Sequence, residues 1–170
     1  SGIGLYAGSH NSYTKFEKLF DKVIEEYHGH KKDGKHISDM NSQGLENAKF
    51  SEEDSAMVNS TRIRVARNLA AYPLGTCVTP TQRAEIEKLV VSALNEFTGD
   101  LKGKYYSLET MTDSERKQLI ADHFLFKGGD KYLESAGLER EWPKNRGIFH
   151  NDAKTFLVWV NEEDQLRIIS

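Results

Sequence analysis

The stretch Phe156-Leu157-Val158-Trp159-Val160 is the strongest structural signal in the sequence, because five apolar residues follow one another without interruption. A strand that is covered on both faces has such a continuous apolar run, whereas a strand with one face in water alternates. Asn161 and the three acidic residues 162–164 that follow it predict a turn, and Leu166–Ile169 predicts the next strand. We therefore expect a hairpin near the centre of a sheet.

Two capping boxes upstream of this hairpin predict helices. Thr79-Pro80-Thr81-Gln82 supplies an N-cap, a proline at the first helical position and a glutamine at the third, and Gly99 closes the apolar stripe that follows. Thr112 with Glu115 repeats the pattern. Further strands are predicted at Gly103–Leu108 and Gly147–His150. Strands interleaved with capped helices indicate an α+β fold with a mainly antiparallel sheet flanked by helices.

The chain before residue 50 has a different character. An amphipathic helix is predicted from Ser9 to Tyr27, and a polar segment from Gly29 to Phe50 predicts an exposed linker. A domain boundary near residue 50 follows, which divides the chain into 1–49 and 50–170. His28, His30 and His36 have no compact ligand spacing, so we predict no metal site among them.

Composition excludes several classes of protein. The net charge of -3 argues against general nucleic-acid binding, and no apolar run approaches the roughly 20 residues of a membrane span. The 170 residues include one cysteine, Cys77, so no internal disulfide forms and a cytoplasmic location is expected. The chain lacks an initiator methionine and stops in a predicted strand, from which we expect a piece of a longer protein.

Two arginines are the first candidates for a binding site. Arg62 and Arg64 lie two residues apart in Met57–Arg64, a segment whose alternation predicts a strand, so both guanidinium groups would leave the same face. Guanidinium groups match phosphate oxygens in a bidentate way. Spacing alone leaves two interpretations open, a phosphate grip and a solvated strand face.

Three other features are candidates for chemistry. Glu162 and Glu163 follow the apolar strand and would bind a cation or act as a base, or simply form a surface turn. His123 would stack on a base or lie in the core. The glycine-rich turn Ser1–Tyr6 would present backbone N–H groups to a carboxylate. The sequence has no Walker A or Rossmann fingerprint, so arginine side chains would have to hold any nucleotide.

Together these segments resemble one family, the ATP:guanidino phosphotransferases or phosphagen kinases, and most of all its arginine kinase branch. The resemblance rests on four runs in the family's order: Ser60–Arg64, Asp122–Phe126, Gly147–Asp152, and Lys154–Asp164 with Leu166–Ser170 behind it. It implies that 1–49 is the end of a small all-helical N-terminal domain with a linker. It also implies that 50–170 is the first part of an α+β catalytic domain.

The resemblance further implies roles for individual residues. Glu163 would bind and orient the guanidinium and accept its proton, and Glu162 would support that pocket. The substrate loop would consist of Gly2, Ile3, Gly4, Leu5 and Tyr6. ATP would be held by Ser60, Thr61, Arg62, Ile63, Arg64, His123 and Arg167.

The expected reaction is reversible transfer of a phosphoryl group from ATP to L-arginine, with Mg²⁺ held by phosphates and water and with no protein metal ligand. The expected partners are ATP or ADP and a small guanidino compound, without nucleic acid or membrane, and the sequence leaves the oligomeric state unknown. Open alternatives are taurocyamine, lombricine or creatine as substrate, or a nucleotide-binding relative without catalysis. Arg64–Leu69 also resembles bacterial kinases that phosphorylate arginine within proteins.

Part of the family's active site is missing from the chain. The family's reactive cysteine and further phosphate-binding arginines belong to a later segment, and Cys77 does not match that cysteine. We therefore expect this piece alone to be inactive.

Overall fold

The computed structural model describes residues 4–47 and 49–170. The chain divides into two compact units, of which the larger contains the residues up to Lys15 together with Ile63–Ser170 and the smaller contains Phe16–Arg62. Within the described residues, no helix combines the length and the apolar composition needed to cross a bilayer.

The smaller unit contains two helices among its described residues. Helix α2 spans Glu17–His28 and ends at Gly29, whose φ of 66° gives the left-handed conformation that glycine adopts at little cost. Helix α3 spans Glu52–Met57 and is capped by Ser51, whose side chain accepts the Asp54 N–H at 3.0 Å. The described residues of the polar segment between them form neither helix nor strand, as the sequence predicts for a linker.

The larger unit is built on a five-stranded antiparallel sheet with the order β1-β5-β4-β3-β2. Its strands are β1 Arg64–Arg67, β2 Gly103–Ser107, β3 Gly147–Asn151, β4 Leu157–Val160 and β5 Leu166–Ile169. Its helices are α1 Ser12–Lys15, α4 Pro80–Leu94, α5 Asp113–Ala121 and α6 Lys131–Ser135. The mixed helix and antiparallel-sheet fold confirms the predicted α+β class.

The central position predicted for the apolar run is confirmed, because β4 is the middle strand and all four of its residues are buried. Leu157 and Trp159 point into one apolar cluster, and Val158 and Val160 point into the other. Helix α4 packs into the second cluster. Alternate side chains of one strand therefore belong to two cores, one on each face of the sheet.

Both predicted capping boxes are present. Thr79 accepts the Gln82 N–H at 3.2 Å and the Gln82 side chain accepts the Thr79 N–H at 3.0 Å, which satisfies two donors at the start of α4. Thr112 and Glu115 make the same reciprocal pair at the start of α5. Helix α4 ends at Leu94, before the predicted stop at Gly99, which instead begins a short 3₁₀ turn at Gly99–Leu101.

The predicted strand Met57–Arg64 is wrong. Met57 ends α3, and pairing with β5 begins only at Ile63, which exchanges two backbone hydrogen bonds with Ser170 at 2.8 and 3.0 Å. From there the ladder continues as β1 to Arg67, opposite Leu166. Alternation along a segment cannot reveal where a partner strand lies, and the partner here is more than one hundred residues away in sequence.

Candidate functional site

The acidic turn joins β4 to β5, and the side chain of Asn161 anchors its first residue by hydrogen bonds to neighbouring backbone. This residue is 7% exposed, and its side-chain amide donates to the backbone carbonyls of Arg83 at 3.1 Å and Asn145 at 2.9 Å. Its φ of 57° lies in the left-handed region, which asparagine tolerates better than most residues. Its N–H donates to the Gln165 carbonyl at 3.1 Å and closes the turn. The backbone of Glu162–Asp164 is thereby fixed at the end of the central strand.

Arg167 gathers the three carboxylates of this turn. One guanidinium nitrogen, Nη1, lies 3.1 Å from Glu162 Oε2. The other, Nη2, lies 3.2 Å from Glu163 Oε2 and 3.1 Å from Asp164 Oδ2. The guanidinium carbon also lies 5.7 Å from the ring centroid of Trp159. The turn therefore binds a planar guanidinium group between its carboxylates and an aromatic ring.

Burial and neighbouring charges shift the pKa values of Glu162 and Arg167 in this cluster. The side chains of Arg167 and Glu162 are 17% and 12% exposed. Loss of water raises the pKa of the Glu162 carboxyl, and the attraction of Arg167 works in the opposite direction without offsetting that effect. Burial lowers the pKa of the Arg167 guanidinium, but the carboxylates of Glu162, Asp164 and Glu163 more than compensate and leave it above its usual value.

The register of the sheet decides which arginines share a face. Ala66, Arg167 and Trp159 lie opposite one another across β1, β5 and β4, so they occupy one face of the sheet. Arg64 lies opposite Ile169, two residues from Arg167 on β5, and therefore belongs to the same face as its diagonal neighbour. Arg67 points to the opposite face. Arg64 and Arg167 are thus diagonal neighbours on one face of the sheet.

The predicted strand arrangement of Arg62 beside Arg64 is wrong, since Arg62 precedes β1 and belongs to the smaller unit. Ser60 and Thr61 also lie in the smaller unit, and both are exposed. Ile63 directly precedes β1 and exchanges backbone hydrogen bonds with Ser170.

His123 follows helix α5 and is exposed to solvent, not buried in the core. Its φ of 62° lies in the left-handed region, and its N–H donates to the Ile120 carbonyl at 3.1 Å. This backbone arrangement turns the chain back after α5 and presents the imidazole at the surface.

A cavity of about 410 Å³ lies beside the acidic turn within the larger unit. Leu5 and Tyr6 line it on one side, and Glu163 and Asp164 line it on the other. Gly4 lines a neighbouring cavity of about 370 Å³, also with Leu5 and Tyr6. Leu5 and Tyr6 of the predicted substrate loop therefore share a cavity with Glu163, and Gly4 lines the neighbouring cavity. Ser1, Gly2 and Ile3 lie outside the described residues.

Three residues that support this site had no recognisable signal in the sequence. Gln165 is 1% exposed although it directly follows an acidic turn, and its side chain accepts the Leu69 N–H and donates to the Pro73 carbonyl, both at 2.7 Å. Asn68 Nδ2 donates a hydrogen bond to Asp164 Oδ1 in the turn. A Cβ added to Gly75 would lie 2.9 Å from the Glu163 carbonyl oxygen, so the chain needs glycine at this close approach.

No group of three or more histidine, cysteine or acidic side chains arranged to hold a metal ion occurs among residues 4–47 and 49–170. The three carboxylates of the turn face the Arg167 cation instead. The carboxylates of the turn therefore bind a guanidinium group in this structure.

Comparison with known proteins gives two family matches. Residues 85–170 match the family model described as ATP:guanido phosphotransferase, C-terminal catalytic domain, and residues 1–25 match the N-terminal domain of the same family. An arginine kinase of Anthopleura japonica is 54% identical over all of this chain and 24% of its own length. Arginine kinase 1 of Drosophila melanogaster is 48% identical over all of this chain and 48% of its own length. The chain thus spans about half, or less, of the relatives that it matches.

Solved structures give the same picture. A lombricine kinase superposes with a TM-score of 0.88 at 40% identity, over 99% of this chain and 46% of that one. The duplicated taurocyamine kinase of Schistosoma mansoni with bound transition-state-analogue components superposes with a TM-score of 0.82 at 40% identity, over 96% of this chain and 23% of that one.

Proposed function

The chain belongs to the ATP:guanido phosphotransferase family, and from this membership we propose that its full-length protein is an arginine kinase. The reaction is the reversible transfer of the γ-phosphoryl group of ATP to the guanidino group of L-arginine, which gives phosphoarginine and ADP. The identity of 48–54% to proteins named arginine kinase supports arginine as the substrate.

The observation that carries this proposal is the guanidinium held by the acidic turn. Arg167 occupies a place where three carboxylates and the Trp159 ring accept a planar cation, and Glu163 also lines the adjoining cavity. Carboxylates bind guanidinium groups through charge-assisted hydrogen bonds. A substrate guanidinium that enters this cavity would find in Glu163 a partner of the right charge and geometry.

The nucleotide would bind on the face of the sheet that carries Arg64 and Arg167. Two adjacent guanidinium groups neutralise phosphate charge and fix its direction. On ATP binding, Arg167 would exchange at least one of its carboxylate partners for a phosphate oxygen. We further propose that Arg62, with Ser60, Thr61 and Ile63, completes the phosphate grip, and that His123 lies against the adenine.

Mg²⁺ would enter as part of the nucleotide substrate, because this cation prefers phosphate oxygens and water and keeps most of its hydration.

In the proposed reaction, a guanidinium nitrogen attacks the γ-phosphorus while the bond from phosphorus to the bridging oxygen of ADP breaks. Glu163 orients the attacking nitrogen and accepts the proton that it loses, and Glu162 supports the pocket. The arginines stabilise the charge that spreads over the transferred group. Alignment of the two substrates supplies a large part of the rate.

Two further expectations remain proposals. The division at residue 50 would separate the end of the helical N-terminal domain from the catalytic domain, and the family matches at 1–25 and 85–170 lie on either side of it. The protein would work in the cytoplasm.

The test is Glu163→Gln in the full-length protein. The amide keeps the size of the side chain but removes its charge and its basicity, so we expect turnover to fall by roughly 100-fold or more while ATP affinity stays unchanged. Glu96→Gln, an exposed carboxylate beyond the end of α4, is the matched control. Full turnover in the Glu163 variant would overturn the assigned role.

The substrate is tested separately with the wild-type protein. The lombricine and taurocyamine kinases among the structural relatives favour these two compounds as the second candidates. Turnover should therefore be compared for free arginine, lombricine, taurocyamine, creatine and an arginine-rich protein. A preference for any compound other than free arginine would replace the proposed substrate.

A further inference from the structure

The β1–β5 ladder ends in an unusual way. Arg67 lies opposite Leu166, so the next pair in register would be Asn68 and Gln165. At this pair the side chains replace the backbone bonds, because the Gln165 N–H donates to Asn68 Oδ1 at 3.0 Å and the Leu69 N–H donates to Gln165 Oε1 at 2.7 Å. We call the side chains of Asn68 and Gln165, each of which accepts a backbone N–H from the other strand, the amide clasp.

Asn68 makes a second bond that reaches the acidic turn. Its Nδ2 donates to Asp164 Oδ1 at 3.3 Å, and the other oxygen of Asp164 accepts from Arg167 at 3.1 Å. Asn68 also lines the 410 Å³ cavity together with Glu163 and Asp164. Because its carbonyl oxygen accepts while its amide nitrogen donates, both ends of one planar group are tied to the segment 164–165.

The clasp joins the two halves of the site. Asn68 directly follows β1, which carries Arg64, and its partners belong to the turn that carries Glu163. Resting on the proposed function, we propose that Asn68 is a positioning residue, which fixes the guanidinium carboxylate relative to the phosphate-binding strand. It acts through Asp164 and Gln165 and not on the reacting atoms. A displacement of about 1 Å at this joint would misalign the two substrates and cost on the order of 100-fold in rate.

The experiment uses Asn68→Ala and Asn68→Asp in the full-length protein. The alanine variant loses both bonds, and we expect kcat to fall on the order of 10- to 100-fold while the affinity for ATP changes less than about twofold. Asn95→Ala, an exposed asparagine at the end of α4, is the matched control and should keep full kcat.

The aspartate variant separates positioning from simple support of the fold. Its oxygen still accepts from the Gln165 N–H, but a carboxylate now faces that of Asp164, so the two charges repel. We expect a loss of kcat, relative to the wild-type protein at the same pH, that becomes smaller as the pH falls toward about 5 and one carboxylate takes up a proton. A residue that merely supports the fold would give a loss without this pH dependence.

Hydrogen exchange of the Gln165 amide supplies a readout that does not depend on activity. The exchange rate of this amide, relative to the wild-type protein at the same pH, should rise in the alanine variant and should stay near the wild-type rate in the aspartate variant at low pH. Undiminished kcat in the alanine variant, together with accelerated exchange, would overturn the positioning role. If the alanine variant does not fold, a pH-independent kcat ratio in the aspartate variant would overturn it equally. Absence of any transfer by the wild-type protein would instead overturn the proposed function, and the alignment role with it.

Discussion

Replacing Arg167 by methionine tests the charge balance of the site directly. Methionine keeps an unbranched apolar stem beside Trp159 but removes the guanidinium that faces three carboxylates at 3.1 to 3.2 Å. Since Arg167 and Glu162 are only 17% and 12% exposed, the carboxylates cannot recover full hydration. Removal of one partner from a buried ion pair costs roughly 3 to 5 kcal/mol. The residual exposure of this cluster places the expected loss near the lower limit, about 3 kcal/mol at neutral pH.

The assay is thermal unfolding of the full-length protein, followed at about pH 7.5 and about pH 5. A loss of about 3 kcal/mol corresponds to a fall of roughly 6 to 12 °C in the midpoint of thermal unfolding for a domain of about 150 to 250 residues. Without Arg167 the attraction that opposes the effect of burial is lost, so the pKa of Glu162 in the folded state rises further, and the variant gains stability relative to wild type as the pH falls and Glu162 takes up a proton. The deficit should therefore be greatest at pH 7.5 and smaller at pH 5.

Arg67→Met is the matched control for this experiment. Arg67 lies on the same sheet but on the opposite face, is exposed, and its side chain donates to the neighbouring Ala66 carbonyl. Its replacement should change stability by no more than about 0.5 kcal/mol. The reasoning fails if Arg167→Met unfolds at the wild-type temperature, or if its deficit is the same at both pH values.

Two further variants examine the acidic turn. Gly75→Ala places a Cβ 2.9 Å from the Glu163 carbonyl oxygen, so it should displace the turn and lower kcat on the order of tenfold. Gly44→Ala, where a Cβ meets nothing within 4 Å, is the control. Equal kcat in the two variants would contradict the argument. Because burial raises the pKa of Glu162, the wild-type protein loses stability as the pH rises through the titration of that group. Glu162→Gln should therefore unfold at a higher temperature than wild type at neutral pH and lose this advantage at acidic pH. A difference in unfolding temperature that does not change with pH would refute this prediction.

Local signals determined much of the fold. The apolar run 156–160 predicted a strand covered on both faces, and β4 is the middle strand of the sheet. The boxes at Thr79 and Thr112 predicted where α4 and α5 begin, because a cap is made by residues three apart in sequence. These features depend on neighbours along the chain, so the sequence contains them completely.

The candidate site was partly accessible in the same way. The resemblance to phosphagen kinases pointed to Glu163, Arg64 and Arg167 from matching runs, and the structure places all three in the larger unit. Their detailed roles remain predictions. Neither the resemblance nor the residue pattern indicated that Arg167 would face the carboxylates of its own hairpin, because that contact depends on the path of the turn between β4 and β5.

The sequence by itself determined that a buried central strand ends in an acidic turn and returns as a second strand. Only the tertiary structure decided that β1 begins at Arg64, that Arg64 and Arg167 share a face, and that Asn68 closes the ladder against Gln165. The reason is physical. Strand register is set by hydrogen bonds and packing between segments about one hundred residues apart, and a shift of one residue would send every side chain of β1 to the other face.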